Sequence, residues 1–110
     1  MRITGAIDVL GPSIGRFALW EEDRLIGYLN CLQLERGMTI MDVFVQPDRQ
    51  RKGYGRMLVE HFEEAAQQAG FTRIWLSMVD DKALGFWVRM GYEGHYHDGC
   101  GNCGFHKRLE

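Results

Sequence analysis

The sequence contains little of what marks a membrane-spanning, secreted or nucleic-acid-binding protein. No apolar run approaches the roughly 20 residues that cross a bilayer, and the opening residues MRITGAID lack the charged and apolar regions of a signal peptide. A formal net charge of −2 creates no field that would hold a polyanion. We therefore expect a cytoplasmic protein with neither a membrane nor a nucleic acid as its partner.

Cysteine and proline are also scarce. Three cysteines, an odd number in a chain without a secretory signal, indicate reduced thiols rather than a disulfide framework. The two prolines, Pro12 and Pro47, stand where strands should begin or end. With 110 residues, 45% of them hydrophobic, and no repeat or linker, residues 1–110 are predicted to form one domain.

The first half of the sequence predicts strands. Residues 16–20 and 25–34 read as two strands that flank the polar turn 21–24, which predicts a β-hairpin. Residues 38–45 are nearly continuously apolar and β-branched, as in a strand covered on both faces. The one charge in that strand is Asp42.

The second half alternates helices and strands. Apolar residues at helical spacing predict an amphipathic helix over 56–69. Residues 71–79 follow as a strand, and a second helix with a shared apolar face at Ala83, Phe86, Trp87 and Met90 ends at Gly91. The remaining residues, 92–109, have room for a last hairpin around a glycine-rich turn.

A basic turn that contains glycine precedes the long helix and predicts an anion site. The first amides of a helix have no internal partners and can bind phosphate oxygens. Gly53 and Gly55 would let the backbone approach those oxygens and take positive φ, while Arg51, Lys52 and Arg56 would add charge. The alternative interpretation is a solvated basic turn. The pattern is neither a Walker loop nor a dinucleotide fingerprint.

Two motifs resemble the GNAT family of N-acetyltransferases. The first resembles its cofactor-binding motif and reads Val45-Gln46-Pro47, then Gln50-x-x-Gly53-x-Gly55, then an amphipathic helix. The second resembles a later helix of the family and reads Asp80-x-x-Ala83-x-x-Phe86-Trp87-x-x-x-Gly91-Tyr92. The resemblance covers roughly residues 16–109 and implies an α/β fold of the α+β type, with a mixed sheet. It also implies that the pair of helices common near the start of family members is missing.

The resemblance implies acetyl-CoA as co-substrate, bound where strand 38–45 splays from strand 71–79. The implied contacts to the thioester and pantetheine come from the backbone of Val43, Phe44 and Val45. The implied pyrophosphate contacts come from Gln50, Arg51, Lys52, Gly53, Tyr54, Gly55 and Arg56. The implied far wall of the cleft consists of Asp80 and Trp87, although Asp80 could be only a helix cap.

The family reaction is direct transfer, in which a neutral amine attacks the thioester and loses a proton. Asp42, the only carboxylate on the cleft strand, is the candidate base, and the open alternatives are Glu22, Glu35, Glu93, His95 and His97. Trp87 stands where the family often has a tyrosine that protonates the thiolate, and an indole cannot replace that acid. Tyr92, with Tyr96 as the alternative, is the candidate substitute. Thr39 stands where some histone-modifying members have a catalytic glutamate, and it cannot accept that proton.

Other interpretations stay open at this point. The acceptor amine belongs to a small molecule or a protein, and the incomplete roof over the acceptor site favours a homodimer. A cluster of possible zinc ligands comprises His95, His97, Cys100, Cys103 and His106, but we expect no metal, since only one C-x-x-C pair is present. The alternative functions are a non-catalytic acyl-CoA-binding module and a small zinc-supported interaction domain.

Overall fold

The computed structural model describes residues 1–7, 14–35, 37–77, 79, 82–94 and 104–109. The strands in these ranges are β1 (Arg2–Ile7), β2 (Ile14–Glu21), β3 (Arg24–Leu34), β4 (Gly37–Val45), β5 (Arg73–Leu76) and β6 (His106–Arg108). The helices are α1 (Tyr54–Gln68) and α2 (Leu84–Arg89), with a short 3-10 turn at Pro47–Arg49. Within the described part of the chain, no helix is long and apolar enough to cross a membrane.

The six strands form one mixed sheet in the order β1-β2-β3-β4-β5-β6. Each neighbouring pair is antiparallel except β4 and β5, which are parallel. That parallel pair needs a crossover connection, and α1 supplies it. The predicted α+β mixed sheet is therefore confirmed. Six residues, 8–13, connect β1 to β2, a length with no room for a pair of helices.

One face of the sheet carries α1 and the core. The buried side of the helix consists of Leu58, Val59, Phe62, Glu63 and Ala66. The ring of Phe62 meets the ring of Phe17 on β2 edge-on, with 5.9 Å between centroids, and both side chains are fully buried. Burial of a side chain such as Phe62 contributes roughly 1.5–3 kcal/mol, which fixes the helix and its first turn against the sheet.

A split between β4 and β5 positions the site. The two strands pair only at Thr39 with Trp75 and at Ile40 with Leu76. β5 then ends, whereas β4 continues to Val45. The last tie is Ser77, whose amide donates to the carbonyl of Ile40 at 3.1 Å. Beyond it the two strands diverge, as the resemblance implied.

The structure departs from the sequence predictions in several elements. β1 was not anticipated, and β5 is shorter than the predicted strand 71–79. The helix predicted over 56–69 begins two residues earlier, at Tyr54. Of the predicted last hairpin, β6 and a bridge between Glu93 and His106 are present, while its turn lies outside the described residues.

Candidate active site

A cleft of about 820 Å³ occupies the split in the sheet. Its walls come from β4, the turn after it, the start of α1, and α2. The structure brings together most of the predicted site residues in the lining of this cleft: Asp42, Val43, Val45, Gln50, Arg51, Gly53, Tyr54, Gly55, Arg56 and Trp87. Phe44, Lys52 and Tyr92 are not part of the lining, and Asp80 lies outside the described residues.

The free edge of β4 faces the cleft. The amide of Gln46 donates to the carbonyl of Ile26 at 2.8 Å, so every second residue back along β4 from Gln46 directs its backbone groups to β3. Val43 and Val45 direct their backbone groups to the other edge of β4, because successive residues of a strand alternate between its two edges. Their N–H and C=O groups therefore point to the side on which β5 has already ended. This edge can pair with an extended chain as a further strand would.

A β-bulge at Met41 marks the point where the cleft opens. Asn30 pairs with Asp42 and Cys31 with Ile40, so Met41 is an extra residue in β4. Its carbonyl accepts the hydroxyl of Ser77 at 3.2 Å. The pairing between β4 and β5 therefore ends at this bulge, and the bulge turns the residues that follow it towards the cleft.

The turn at the mouth of the cleft has the geometry of an anion site. Gly53 is the N-terminal cap of α1 and has a φ of 86°, and Arg51 has a φ of 63°. The helical ladder starts when the amide of Met57 donates to the carbonyl of Gly53 at 3.0 Å. The amides of Tyr54, Gly55 and Arg56 precede that bond and have no helical partner. They are the donors available to a phosphate at this helix end.

The sequence expectation for Gly55 was wrong in one respect. Gly55 lies inside α1 and lacks the positive φ that was expected for both glycines. A side chain built on Gly55 would meet the ring of Phe86 at 3.7 Å and the Cγ2 of Val45 at 3.8 Å. Its role is thus one of space, because Gly55 keeps the cleft open between α1, α2 and β4.

Ion pairs hold the turn in place. Arg49 pairs with Glu21 and with Asp48, each at 3.1 Å. The hydrogen bond and charge of Arg49 hold the pKa of Glu21 below its usual value. Arg24 has the same effect on the pKa of Asp48, which it contacts at 2.9 Å. Sequence reasoning missed this anchoring role of Arg49.

The remaining basic side chains of the turn differ in whether an acidic side chain pairs with them. Arg56 lies 3.4 Å from Glu60 in an exposed pair one helical turn away. For Arg51 and Lys52, the described residues provide no ion pair, and both are exposed. The side chain of Gln50 is hydrogen-bonded within the protein, since its amide donates to the carbonyl of Val45 at 3.0 Å. Of the basic residues in this turn, Arg51 thus combines a place in the cleft lining with a charge that no described acid neutralises.

Asp42 lies at the inner end of this edge of β4. Its carboxylate is exposed and accepts a hydrogen bond from the side-chain amide of Asn30 at 3.0 Å. Phe44, two residues later on the same face of β4, lies outside the cleft lining and stacks on Tyr28 with 5.3 Å between ring centroids. The backbone groups of Phe44 point to the same edge of β4 as those of Gln46, which pairs with β3, so they face β3 and not the cleft.

Trp87 and Tyr92 are buried together on the side of the cleft that faces β4. The rings of Trp87 and Tyr92 meet edge-on with 5.1 Å between centroids. The phenol of Tyr92 donates to Glu63 at 2.8 Å, and Lys107 donates to the other oxygen of Glu63 at 3.0 Å. Burial, together with the charge of Glu63, raises the pKa of Tyr92 far above its usual value. The structure does not bring this phenol into the cleft.

The alternative candidates do not line the cleft either. Glu22, Glu35 and Glu93 are exposed residues outside the lining. Of the predicted zinc cluster only His106 is described; its ring lies 4.8 Å from that of Trp75. The other members lie outside the described residues: His95, His97, Cys100 and Cys103. Tyr96 also lies outside them. Among the residues that the structure describes, no group of three or more acidic, His or Cys side chains could hold a metal ion.

Comparison with known proteins shows a family and several curated relatives. The sequence model of the acetyltransferase (GNAT) family matches residues 6–92. The ribosomal protein bS18-alanine N-acetyltransferase of Salmonella typhimurium is 32% identical over 60 residues, which are 54% of this chain and 40% of that protein. The chain thus aligns with less than half the length of this relative.

Solved structures share the fold at low sequence identity. The ribosomal-protein-S18-alanine N-acetyltransferase of Escherichia coli superposes with a TM-score of 0.71 at 19% identity, covering 91% of this chain and 72% of that one. An N-acetyltransferase, PaiA, from Thermoplasma acidophilum in complex with coenzyme A gives a TM-score of 0.73 at 17% identity, covering 84% and 59%. These similarities show that the chain shares the fold of these proteins.

Proposed function

The chain belongs to the acetyltransferase (GNAT) family, whose model matches residues 6–92, and we propose that it moves an acetyl group from acetyl-CoA to a primary amine. The observation that carries the proposal is the open backbone edge of β4 at Val43 and Val45, which leads directly to the N-terminus of α1. One end of the cleft suits an extended amide-containing arm, and the other suits a pyrophosphate. The similar protein from Thermoplasma acidophilum was solved with coenzyme A.

The residues present fit this co-substrate. Gly53 and Gly55 leave space for phosphate oxygens near the amides of the first turn, and Arg51 adds a positive charge that no described acid neutralises. Val43 offers a backbone donor and acceptor to the pantetheine arm, and Val45 offers its backbone N–H, since its carbonyl already accepts from Gln50. When bound, acetyl-CoA supplies a thioester whose carbonyl carbon accepts the amine.

The chain's own groups account for the transfer. The amine nitrogen bonds to the carbonyl carbon, the carbon–sulfur bond breaks, and the sulfur leaves as a thiolate. A backbone amide near Val45 stabilises the oxyanion of the transition state. Asp42 accepts the proton of the amine, directly or through one water, and solvent returns a proton to the thiolate. Because the phenol of Tyr92 is buried and donates its hydrogen bond to Glu63, it takes no part in this mechanism.

The acceptor is a primary amine of a small molecule or a protein. The name of the Salmonella relative refers to an alanine of a ribosomal protein, but that relative is matched over 60 residues only. A homodimer and a cytoplasmic location stay predictions, as does the assignment of residues 1–110 to one domain.

A second candidate function is a non-catalytic acyl-CoA-binding module. The buried indole of Trp87 and the withdrawn phenol of Tyr92 favour it, because neither can protonate a leaving thiolate in the cleft.

One experiment separates the two candidates. Acetyl-CoA is incubated with polyamines, aminoglycosides, amino acids and peptides, and both free CoA thiol and acetylated product are measured. Amine-dependent release of thiol with a matching product supports the transferase. Binding of acetyl-CoA without release for any amine supports the module, and no binding contradicts both.

A further inference from the structure

A polar row crosses the sheet next to the cleft. Arg16, Asn30 and Asp42 stand opposite one another on β2, β3 and β4, so their side chains share one face of the sheet. α1 packs on the other face, where Phe17 meets Phe62. We call the side of the sheet that carries Arg16, Asn30 and Asp42 the outer face. No described helix packs on it.

Hydrogen bonds join this row into a chain. The Nε of Arg16 donates to the side-chain oxygen of Asn30 at 2.9 Å, and the side-chain nitrogen of Asn30 donates to Asp42 at 3.0 Å. The guanidinium of Arg16 also lies over the ring of Tyr28, 5.0 Å from its centroid. Two contacts therefore fix the orientation of an arginine that is otherwise exposed.

The outward end of Arg16 is available to a ligand. Its Nε is used by Asn30, and within the described parts of the chain neither terminal nitrogen has a partner. A guanidinium presents these nitrogens as a planar fork that matches the two oxygens of a carboxylate. Since its orientation is already fixed, little side-chain entropy is lost when an anion binds.

Asp42 connects the row to the proposed chemistry. It lines the cleft and also ends the row, so it is the one residue that belongs to both. The two hydrogen bonds through Asn30 place the carboxylate of Asp42 and the guanidinium of Arg16 within roughly 8 Å of each other. Beside them, the stacked rings of Tyr28 and Phe44 form an apolar platform.

We propose that this part of the outer face is the acceptor subsite, and that the acceptor is a primary amine with a carboxylate several bonds away. The inference deepens the proposed acetyl transfer and rests on it. The amine lies at Asp42, the carboxylate is held by the terminal nitrogens of Arg16, and the methylenes between them contact Tyr28 and Phe44. A positive group at the far end of the acceptor is disfavoured by the charge of Arg16.

The test uses acceptors of one length that differ in the charge of the far end. Acetylation of 5-aminopentanoate, 5-aminopentanamide and 1,5-diaminopentane is measured with the full chain and acetyl-CoA. A second arm compares the peptide amides Glu-Ala-Ala and Gln-Ala-Ala, which places the carboxylate on a peptide instead of a small molecule. The variants are Arg16→Gln, Arg16→Lys and the matched control Arg2→Gln. Arg2 lies over Trp20 in the same way, 5.6 Å from the ring, but outside the polar row.

We expect the wild type to prefer the acid over its amide by about tenfold or more in kcat/KM in at least one arm. That ratio should fall to about one in Arg16→Gln, recover partly in Arg16→Lys and persist in Arg2→Gln. An equal ratio in wild type and Arg16→Gln overturns the proposal, as does a ratio near one in the wild type. If acetyl-CoA binds by calorimetry but none of these acceptors reacts, the subsite is wrong; if acetyl-CoA fails to bind, the proposed function itself is wrong.

Discussion

The replacement of Tyr92 by phenylalanine tests the buried contact that joins α1 to the chain after α2. Tyr92 is 2% exposed and donates to Glu63 at 2.8 Å, while Lys107 donates to the other oxygen of that carboxylate. Tyr92→Phe keeps the ring and leaves one oxygen of a buried carboxylate without its donor, which costs about 1–3 kcal/mol. For a domain of this size we expect the Tm to fall by roughly 4 °C per kcal/mol.

The same contact predicts a pH dependence of stability. Burial and the charge of Glu63 raise the pKa of Tyr92 above the value of 10.0 that an unperturbed tyrosine has. A pKa raised by folding gives stability that is fully present below pH 10 and is lost as the pH rises further, because only the unfolded chain releases the phenolic proton. At pH 11 the wild type should therefore have lost about 1.4 kcal/mol relative to Tyr92→Phe.

Urea unfolding followed by tryptophan fluorescence at pH 8, 10 and 11 measures both effects. Burial also raises the pKa of Cys31 to about 11, but that thiol is present in both proteins, so its effect cancels in the difference. Tyr28→Phe is the control, since the hydroxyl of Tyr28 has no hydrogen bond among the described residues and its loss should change stability by less than about 0.5 kcal/mol. A wild-type advantage over Tyr92→Phe that is the same at pH 8 and pH 11 would show that the buried phenol does not cause this pH dependence.

Three further variants address the cleft. Asp42→Asn should slow acetyl transfer while calorimetry finds acetyl-CoA affinity nearly unchanged, because the base acts on the amine; full activity across pH would remove Asp42 from the mechanism. Arg51→Ala with Lys52→Ala should weaken acetyl-CoA binding and reduce its salt dependence without abolishing it, since the backbone amides remain; unchanged affinity at low salt would count against the anion site. Trp87→Tyr should maintain or raise turnover. It should lower stability by roughly 1–3 kcal/mol in a melting curve, because Trp87 is only 7% exposed. A large loss of turnover in the folded variant would show that the indole has a role of its own.

Much of the cofactor side of the site could be predicted because its signals are local. Helical spacing after a basic turn indicates α1 and its free amides, and the left-handed φ of Gly53 agrees with a glycine at that position. The pattern does not tell which other residue takes a left-handed φ. The structure assigns that conformation to Arg51 and keeps Gly55 helical.

What the sequence could not predict depends on contacts between distant residues. Glu63 reads as one more acid on a helix, yet its partners Tyr92 and Lys107 lie 29 and 44 positions away. β1 escaped prediction because only Ile3 and Ile7 pack against the core, and the strand is defined by its pairing with β2. The row that links Arg16 to Asp42 likewise exists only once three strands are in register.

Whether the split sheet binds acetyl-CoA is best decided by calorimetric titration of acetyl-CoA into the wild type and Gly55→Val. Because Gly55 lacks a positive φ and its Cβ would make ordinary contacts, a folded variant is expected, with two methyl groups that fill the cleft. Gln67→Val, at an exposed position of the same helix, controls for the helix propensity of valine. We predict binding by the wild type and Gln67→Val, and at least about tenfold weaker binding by Gly55→Val with an unchanged circular dichroism spectrum. Equal affinity in the wild type and Gly55→Val would mean that acetyl-CoA does not occupy this cleft.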